Sequence, residues 1–378
     1  MKKIICLALV TIMCLSLGGC YDSDEISKLA FIIAVGIDKS DDGMYEYTFQ
    51  TVKPSAFDNS ESDAAPLAAA TIKAPTIYAA MDKLDSEISE KCDYSHIKLA
   101  VFSEELMKTG AESIFRSMLK SDSFHPNTRV AMSETKASEY LQNIKIPLDT
   151  NPAEYYENIF KQDYTAITPD TRLRDMEKSY INHPKCNILP IVKASVNNEN
   201  EDSKLELYNT ERIALIKNYH LIGKADQNEA FWYNIVTGDK FTGNFYIQIP
   251  GTDKSVVIKF VKKRCKINVD LSEKTPLISV DVKIDGTILW SEDDSSYIAD
   301  DENFGAAVNE KAESELTEYL YKCSRVYKAD INDFAKRAKK YYGTVSDWEK
   351  EDWQGLFEKA DYNVNVKINI KREGINLK

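Results

Sequence analysis

The sequence predicts an α+β protein, several packed mixed-sheet domains with helical cover, carried behind a cleaved lipoprotein signal peptide. Three observations carry this. In the first half, short β-branched runs alternate with stretches whose apolar residues recur every three or four positions. Near residue 200 the composition turns polar, as VNNENEDSK. Beyond it come long stretches that alternate apolar and polar, such as LISVDVKIDGTILW and NVNVKINIK. Strands alternating with helices imply a sheet with helical cover.

Residues 1–19 read as the signal peptide. Lys2 and Lys3 form a basic start, Ile4–Leu17 an apolar core, and Gly18–Gly19 a small-residue cleavage zone. The apolar core is shorter than the roughly 20 residues that cross a bilayer as a helix, so a permanent span is not expected. Leu17-Gly18-Gly19-Cys20 resembles the lipobox of bacterial lipoproteins. There the cysteine sulfur takes the lipid and becomes the first mature residue. Cys20 is therefore the expected lipidation site, and residues 20–29 the tether. Multiple acyl chains on one residue anchor stably where a single chain binds only marginally.

After the tether, KLAFIIAVGID and MYEYTFQTV read as a hairpin. Its turn has Asp38, Ser40, Asp42 and Gly43 at the spacing that opens a calcium loop. The twelfth position is Phe49 instead of Glu, and no helices flank it, so a polar turn is expected. Pro54–Pro75 reads as a loop. A helix with Ile77, Met81, Leu84 and Ile88 on one face follows, then a strand at Ile97–Phe102 and a helix at Ala111–Lys120. A strand at Arg129–Met132 and helices near Ala137–Ile144, Tyr155–Phe160 and Leu173–Tyr180 complete an N-terminal α/β domain, residues 30–195. Residues 196–204 are the expected linker.

The C-terminal region, 205–378, reads as α+β, as one unit or as two subdomains. Strands are expected at Glu211–Gly223, Val256–Val269 and from Ile278, a long amphipathic helix at Phe304–Tyr327, a second from Asp330, and a last strand at the C-terminus. KFVKKRCK places Lys259, Lys262, Lys263, Arg264 and Lys266 in one strand, and Lys336, Arg337, Lys339 and Lys340 form a second basic cluster. A solvated strand edge or helix face is the plain explanation; contact with anionic lipid or an acidic partner is the other.

Bulk chemistry excludes several classes. Lys+Arg number 48 against 60 Asp+Glu, a formal charge of −12, and removal of residues 1–19 with their two lysines takes it to −14. So acidic a chain is a poor ligand for nucleic acid. Cys92, Cys186, Cys265 and Cys323 lack C-x-x-C spacing, so free thiols are favoured over a zinc site or any of three disulfide pairings. His96, His125, His183 and His220 lie without ligand spacing. The acidic pairs Asp293-Asp294 and Asp300-Asp301 sit in a polar stretch. No phosphate-loop, dinucleotide, nucleophile-elbow or zinc-protease motif occurs. No catalytic residue, cofactor site or metal site is expected, and the chain is not expected to be an enzyme.

Four blocks resemble one family in order: GCYDSDEISKLAFIIAVGIDK at 19–39, YSHIKLAVFSEELMKTG at 94–110, ERIALIKNYHLIGKADQNEAFWYNIVTG at 211–238, and residues 330–374 beginning DINDFAKRAKKYYGTVSDWEK. They are similar to the Ger(x)C family, the C subunits of spore germinant receptors. Tyr21 stands where that family usually has Trp, and Asn332-Asp333-Phe334-Ala335 where it usually has a Phe-Gly turn. The resemblance implies a lipoprotein, palmitate-bearing at Cys20, on the outer face of the inner spore membrane. It implies A and B membrane subunits as partners and a part in receptor assembly or signalling, without an enzymatic step. The alternative is a lipid-anchored solute-binding protein feeding a transporter, for which two like lobes around a cleft are expected.

Overall fold

The computed structural model describes residues 29–52, 67–144, 152–160, 169–181, 186–193, 212–237, 243–292 and 301–371. The signal peptide, Cys20, residues 20–28 of the tether, the 196–204 linker, His183 and Asp293, Asp294 and Asp300 lie outside them.

The fold is α+β. Its first sheet begins with an antiparallel meander of β1 (Leu29–Lys39), β2 (Tyr45–Val52) and β3 (Leu67–Ala74). β3 corrects the loop expected at Pro54–Pro75. LAAATIKA has little intrinsic β preference, but pairs with β2 over its full length, Leu67 to Val52 through Ala74 to Tyr45. On the other side of β1 come β4 (Lys91–Asp93) and, in parallel order, β5 (Leu99–Ser103), β6 (Arg129–Ser133) and β7 (Asn187–Val192). β5, β6 and β7 are buried along their whole length, which is why they read as continuous apolar runs. The antiparallel hairpin β8 (Ile213–Lys217) and β9 (His220–Ala225) then completes nine strands in the order β3-β2-β1-β5-β6-β7-β8-β9, with β4 beside β1. Residues 211–223 thus make two strands, turning at Asn218 and Tyr219, both at positive φ, as a tight hairpin requires.

Helices cover both faces. On one, α1 (Ile77–Glu87), α2 (Glu104–Thr109), α3 (Glu112–Lys120) and α6 (Leu173–Ile181) pack Leu84, Met107, Phe115 and Met176 against Ile32, Phe49, Phe102 and Met132. On the other, α4 (Ala137–Asn143) and α5 (Pro152–Asn158) contribute Tyr140, Leu141 and Tyr156. Gly36 of β1 lets α4 approach: a Cβ there would stand 3.2 Å from the Ala137 backbone.

α7 (Gln227–Thr237), absent from the sequence-based expectations, leads to a second sheet. Its order is β10 (Gly243–Gln248), β11 (Ser255–Asp270), β12 (Leu277–Ser291) and β13 (Asp361–Lys371), antiparallel except for the parallel β12–β13 pair. Its inner face, including Phe260, Ile278, Val280, Val282 and Ile284, packs on α7 and on α8 (Glu302–Tyr321), whose Phe304, Val308, Ala312, Leu316 and Leu320 recur every four residues. Its outer face is polar over most of its length, the pattern of a sheet covered on one side, with exposed Tyr246, Leu289 and Trp290 at one end. α8 stops at Tyr321 and winds into a π turn, Lys322–Val326, where a helix through Tyr327 was expected. The single helix expected from Asp330 is instead short pieces: α9 (Ala335–Ala338), a 3-10 turn, α10 (Val345–Glu349) and α11 (Trp353–Phe357).

Candidate functional site

Where the two sheets meet, charged and polar side chains from β9, α7 and the π turn come together. At the centre of this seam Asp226 and Glu229 form a reciprocal cap at the start of α7: Asp226 N–H donates to Glu229 Oε2 at 2.7 Å and Glu229 N–H to Asp226 Oδ1 at 2.9 Å. Glu229 also takes Lys322 Nζ from the π turn at 2.7 Å and the Tyr327 hydroxyl at 3.0 Å. That hydroxyl lies 3.1 Å from the Lys224 carbonyl of β9. The Tyr327 ring lies over Gly223, where a Cβ would stand 3.0 Å from it; only glycine permits the approach. Burial, then Glu229, push the Tyr327 hydroxyl pKa up. Burial lowers that of Lys322, but its bonds to Glu229 and Tyr327 outweigh this and raise it.

From β9, the edge strand of the first sheet, the chain of charges continues within that sheet and its helical cover. Lys224 Nζ reaches Glu104 of α2 at 2.5 Å and Glu134, just after β6, at 2.9 Å. Arg212 also pairs with Glu134, and Lys108 with Glu104. Burial would raise the Glu104 carboxyl, but Lys108 and Lys224 hold it below its ordinary value; burial would lower Lys224, and the two glutamates raise it. A second strap runs from Lys217 of β8 to Gln354 of α11 at 2.6 Å. A third contact docks the β8–β9 turn: Ala111 N–H donates to the Tyr219 carbonyl, and a side chain at Gly110 would collide with the His220 ring.

Behind the seam lies Asp330, 1% exposed. Its Oδ1 accepts from Phe334 N–H at 2.8 Å; its Oδ2 accepts from Ala335 N–H at 2.7 Å and from Trp353 Nε1–H at 3.0 Å. Burial raises its pKa to about 6 against the pull of those donors. With both oxygens occupied, Asp330 ties the 330–335 turn to α11 and offers no acid or base to a substrate. It also organises a ring cluster, Trp348, Trp353 and Phe357, with successive centroids 5.9 and 6.1 Å apart.

The residues singled out in the sequence fall in separate places. Asp38 is a tie: its two oxygens accept from Ala137 and Ser138 N–H at 2.8 and 2.9 Å, fixing the start of α4. Asp42 pairs with Lys73 across the meander. Asp301 caps α8. His96 stacks edge-on against Phe31, His125 accepts from Asn127 N–H, and His220 lies at Gly110. The four cysteines are free thiols, Cys186 and Cys323 buried and the other two half-buried. Burial raises each, Cys92 to about 11 and Cys186 to about 12, away from the thiolate that reacts. Among the described residues no three or more His, Cys, Asp or Glu are set to hold a metal, and no helix is long and apolar enough to cross a membrane.

A polar pocket of about 300 Å³ opens where β5 and β6 begin, lined by Lys98, His125, Arg129 and Arg172. Its charges answer one another: Arg129 and Arg172 share Asp170 at 2.9 and 3.1 Å, and Lys98 pairs with Glu157 at 3.0 Å.

The comparisons agree with this two-part build. A family model described as the spore germination protein N-terminal domain matches residues 22–194, and one described as spore germination B3/GerAC like, C-terminal, matches residues 211–374. Spore germination protein B3 of Bacillus subtilis (strain 168) is 23% identical over 95% of each chain, and putative spore germination protein YfkR of the same strain 19% identical over 99% of this chain and 98% of that one. Spore germination protein KC is 24% identical, over 40% of this chain and 39% of that one. The crystal structure of the GerBC protein shares the fold, with a TM-score of 0.58 at 17% identity, over 89% of this chain and 96% of that one.

Proposed function

We propose, from the premise that the chain belongs to the Ger(x)C family of spore germination receptor subunits, that it is the membrane-tethered, non-enzymatic subunit of a nutrient germinant receptor, needed for receptor assembly or signalling. The observation that carries this reading is the clasp between the two family regions. Both family regions lie in one chain, and Arg212 and Lys224 of the second are consumed in pairing with Glu134 and Glu104 of the first. Such a body suits a part that relays or supports a conformational state better than one that turns over a substrate. A solute-binding protein calls for two like lobes around a cleft; here one sheet has nine mixed strands and the other four.

The partners on this reading are the A and B membrane subunits, and the place is the outer face of the inner spore membrane. Residues 1–19 are removed, and Cys20 carries the lipid. Eight residues separate Cys20 from β1, at most about 30 Å of chain at roughly 3.5 Å each, so the start of the first sheet stays near the headgroups.

Two experiments test it. Deleting the gene is expected to abolish germination by nutrients while sparing agents that bypass receptors; a null defective under every trigger would point to a downstream step such as cortex breakdown. Cys20→Ala is expected to move the protein into the soluble fraction after a high-salt wash and to weaken nutrient germination. Retention in the membrane after that wash would place the anchor elsewhere.

A further inference from the structure

The outer face of the second sheet carries a charge pattern that the stability of the fold does not explain. The registers of β11 with β12 and of β12 with β13 put Arg264, Lys283 and Lys367 side by side in one row across three strands, all exposed. Like charges directly opposed on neighbouring strands destabilise a sheet. Among the described residues none of the three has a carboxylate within ion-pair distance. Lys262 and Lys266 stand in the adjoining rows opposite Asp285 and Asp281. Those two aspartates already accept from Asn369 and Asn365 at 3.1 and 3.2 Å. One row further, Lys259 and Lys371 flank Thr287. This concentration of cations belongs to a chain whose formal charge is −12.

The same face changes character along the strands. Beyond Lys259, the row Tyr246–Val257–Trp290 is apolar, with Tyr246 64% and Trp290 50% exposed, and Leu289 beside it is 49% exposed at a strand irregularity. At the opposite end stand Asp270 and Asp361. The face therefore runs from aromatic through basic to acidic. Lys263, grouped with its neighbours in the sequence, is not part of it: its Nζ turns inward to the Asn234 and Ile235 carbonyls at the end of α7.

We propose that this face lies against a bilayer containing anionic phospholipid, with Arg264, Lys283 and Lys367 and their basic neighbours over the headgroup phosphates and Trp290, Leu289 and Tyr246 entering the headgroup layer. The cations are spread over a sheet surface, so they match a charged plane. Exposed Trp and Tyr beside basic residues are the composition of a membrane-interface belt, and each basic residue near an anionic surface adds to the attraction. A narrow acidic peptide would engage the basic rows and leave the aromatic row without a role. The contact is separate from any lipid on Cys20. It is electrostatic and screened by salt, so it adds to an anchor and does not replace one.

The test uses the full chain with Cys20→Ser, which removes the acylation site, sedimented with phosphatidylcholine vesicles with and without phosphatidylglycerol. The same chain with Lys283→Glu and Lys367→Glu is the comparison; both keep residues 1–19, so that segment cancels. Expected are binding that requires phosphatidylglycerol, falls with salt, and weakens at least about tenfold on charge reversal. The melting temperature should change little, because reversal gives Arg264 an opposite charge beside it and exchanges one like-charge opposition between positions 283 and 367 for another. Should reversal disturb folding, Lys283→Gln with Lys367→Gln gives the same reading with smaller loss. Equal binding to vesicles without phosphatidylglycerol, or undiminished binding by a folded variant, overturns the proposal. So does binding to polyglutamate but not to vesicles, which would assign the face to an acidic protein surface. These outcomes leave the Cys20 anchor untouched, since that is read from salt-washed membranes.

Discussion

Asp330 shows how much one buried carboxylate can hold. Asp330→Ala would leave two backbone N–H groups and the Trp353 indole without their acceptor, at about 1–3 kcal/mol for each group stranded. The expected outcome is a loss of about 3 kcal/mol or more in denaturant unfolding. The pH dependence has a definite sign. The folded pKa, about 6, lies above the ordinary 3.8, so the folded state binds more protons between those values. This residue's contribution is present below pH 4 and is lost as pH rises through 6, on the order of 3 kcal/mol for two pKa units. Glu104, shifted the other way, contributes with the opposite sign. The measurement is therefore the difference between the parent and Asp330→Asn, whose stability should lack the fall between pH 4 and 6. A parallel pair of curves would contradict the assignment. At Tyr327, removing the hydroxyl in Tyr327→Phe leaves buried Glu229 and the Lys224 carbonyl one donor short, with an expected cost of about 1–2 kcal/mol and no change in backbone circular dichroism.

At the scale of elements, β13 is an edge strand closed by a helix. Val366 N–H donates to Glu313 Oε1 at 2.9 Å and Ile368 N–H to Asn309 Oδ1 at 2.8 Å, both from α8. Edge N–H groups left open are templates for another chain. Asn309→Ala with Glu313→Ala is expected to cost about 2 kcal/mol and to raise the light-scattering mass of the purified chain at high concentration. The elements legible in the sequence were those whose own pattern announces them: β1, β2, α1, α3, β12 and β13 carry clean periodicity. β3 was not, because alanines carry no β signal and its partner β2 supplies the register. α7 was hidden inside a block that begins as strand, although Asp226-Gln227-Asn228-Glu229 is a capping-box spacing that marks a helix start. The seam was illegible for a different reason. Lys224, Glu104 and Glu134 are common surface types far apart in the chain, and only the sheet order brings them together. The cationic row was half visible, as KFVKKRCK, but the face it occupies depends on β12 and β13.

The whole molecule is two sheets joined where the Tyr327 hydroxyl meets the Lys224 carbonyl and Lys217 meets Gln354, while the Lys224 ammonium pins β9 to α2 and the end of β6 within the first sheet. Replacing Lys224 by methionine keeps the aliphatic stem and removes the charge, leaving Glu104 and Glu134 without the cation they share. The expected result is a loss of about 2–4 kcal/mol in denaturant unfolding. An unchanged midpoint would show that its backbone pairing with β8 and its apolar contacts are enough to hold β9.

Because β8 and β9 come from beyond residue 211 yet sit beside β7, the first sheet is finished only by chain that follows the boundary between the two family regions. A gene truncated at that boundary does not yield a smaller working part; it yields a product with the flank of β7 laid open, prone to clearance or clumping. Loss of germination in such a strain would measure protein quality control, and missense changes on the surface are the sharper tool for dissecting what each half contributes. By the same logic, a backbone nick between 194 and 211 leaves the two pieces paired through β7 and β8, so a clipped chain on a denaturing gel can still come from an intact assembly in the spore.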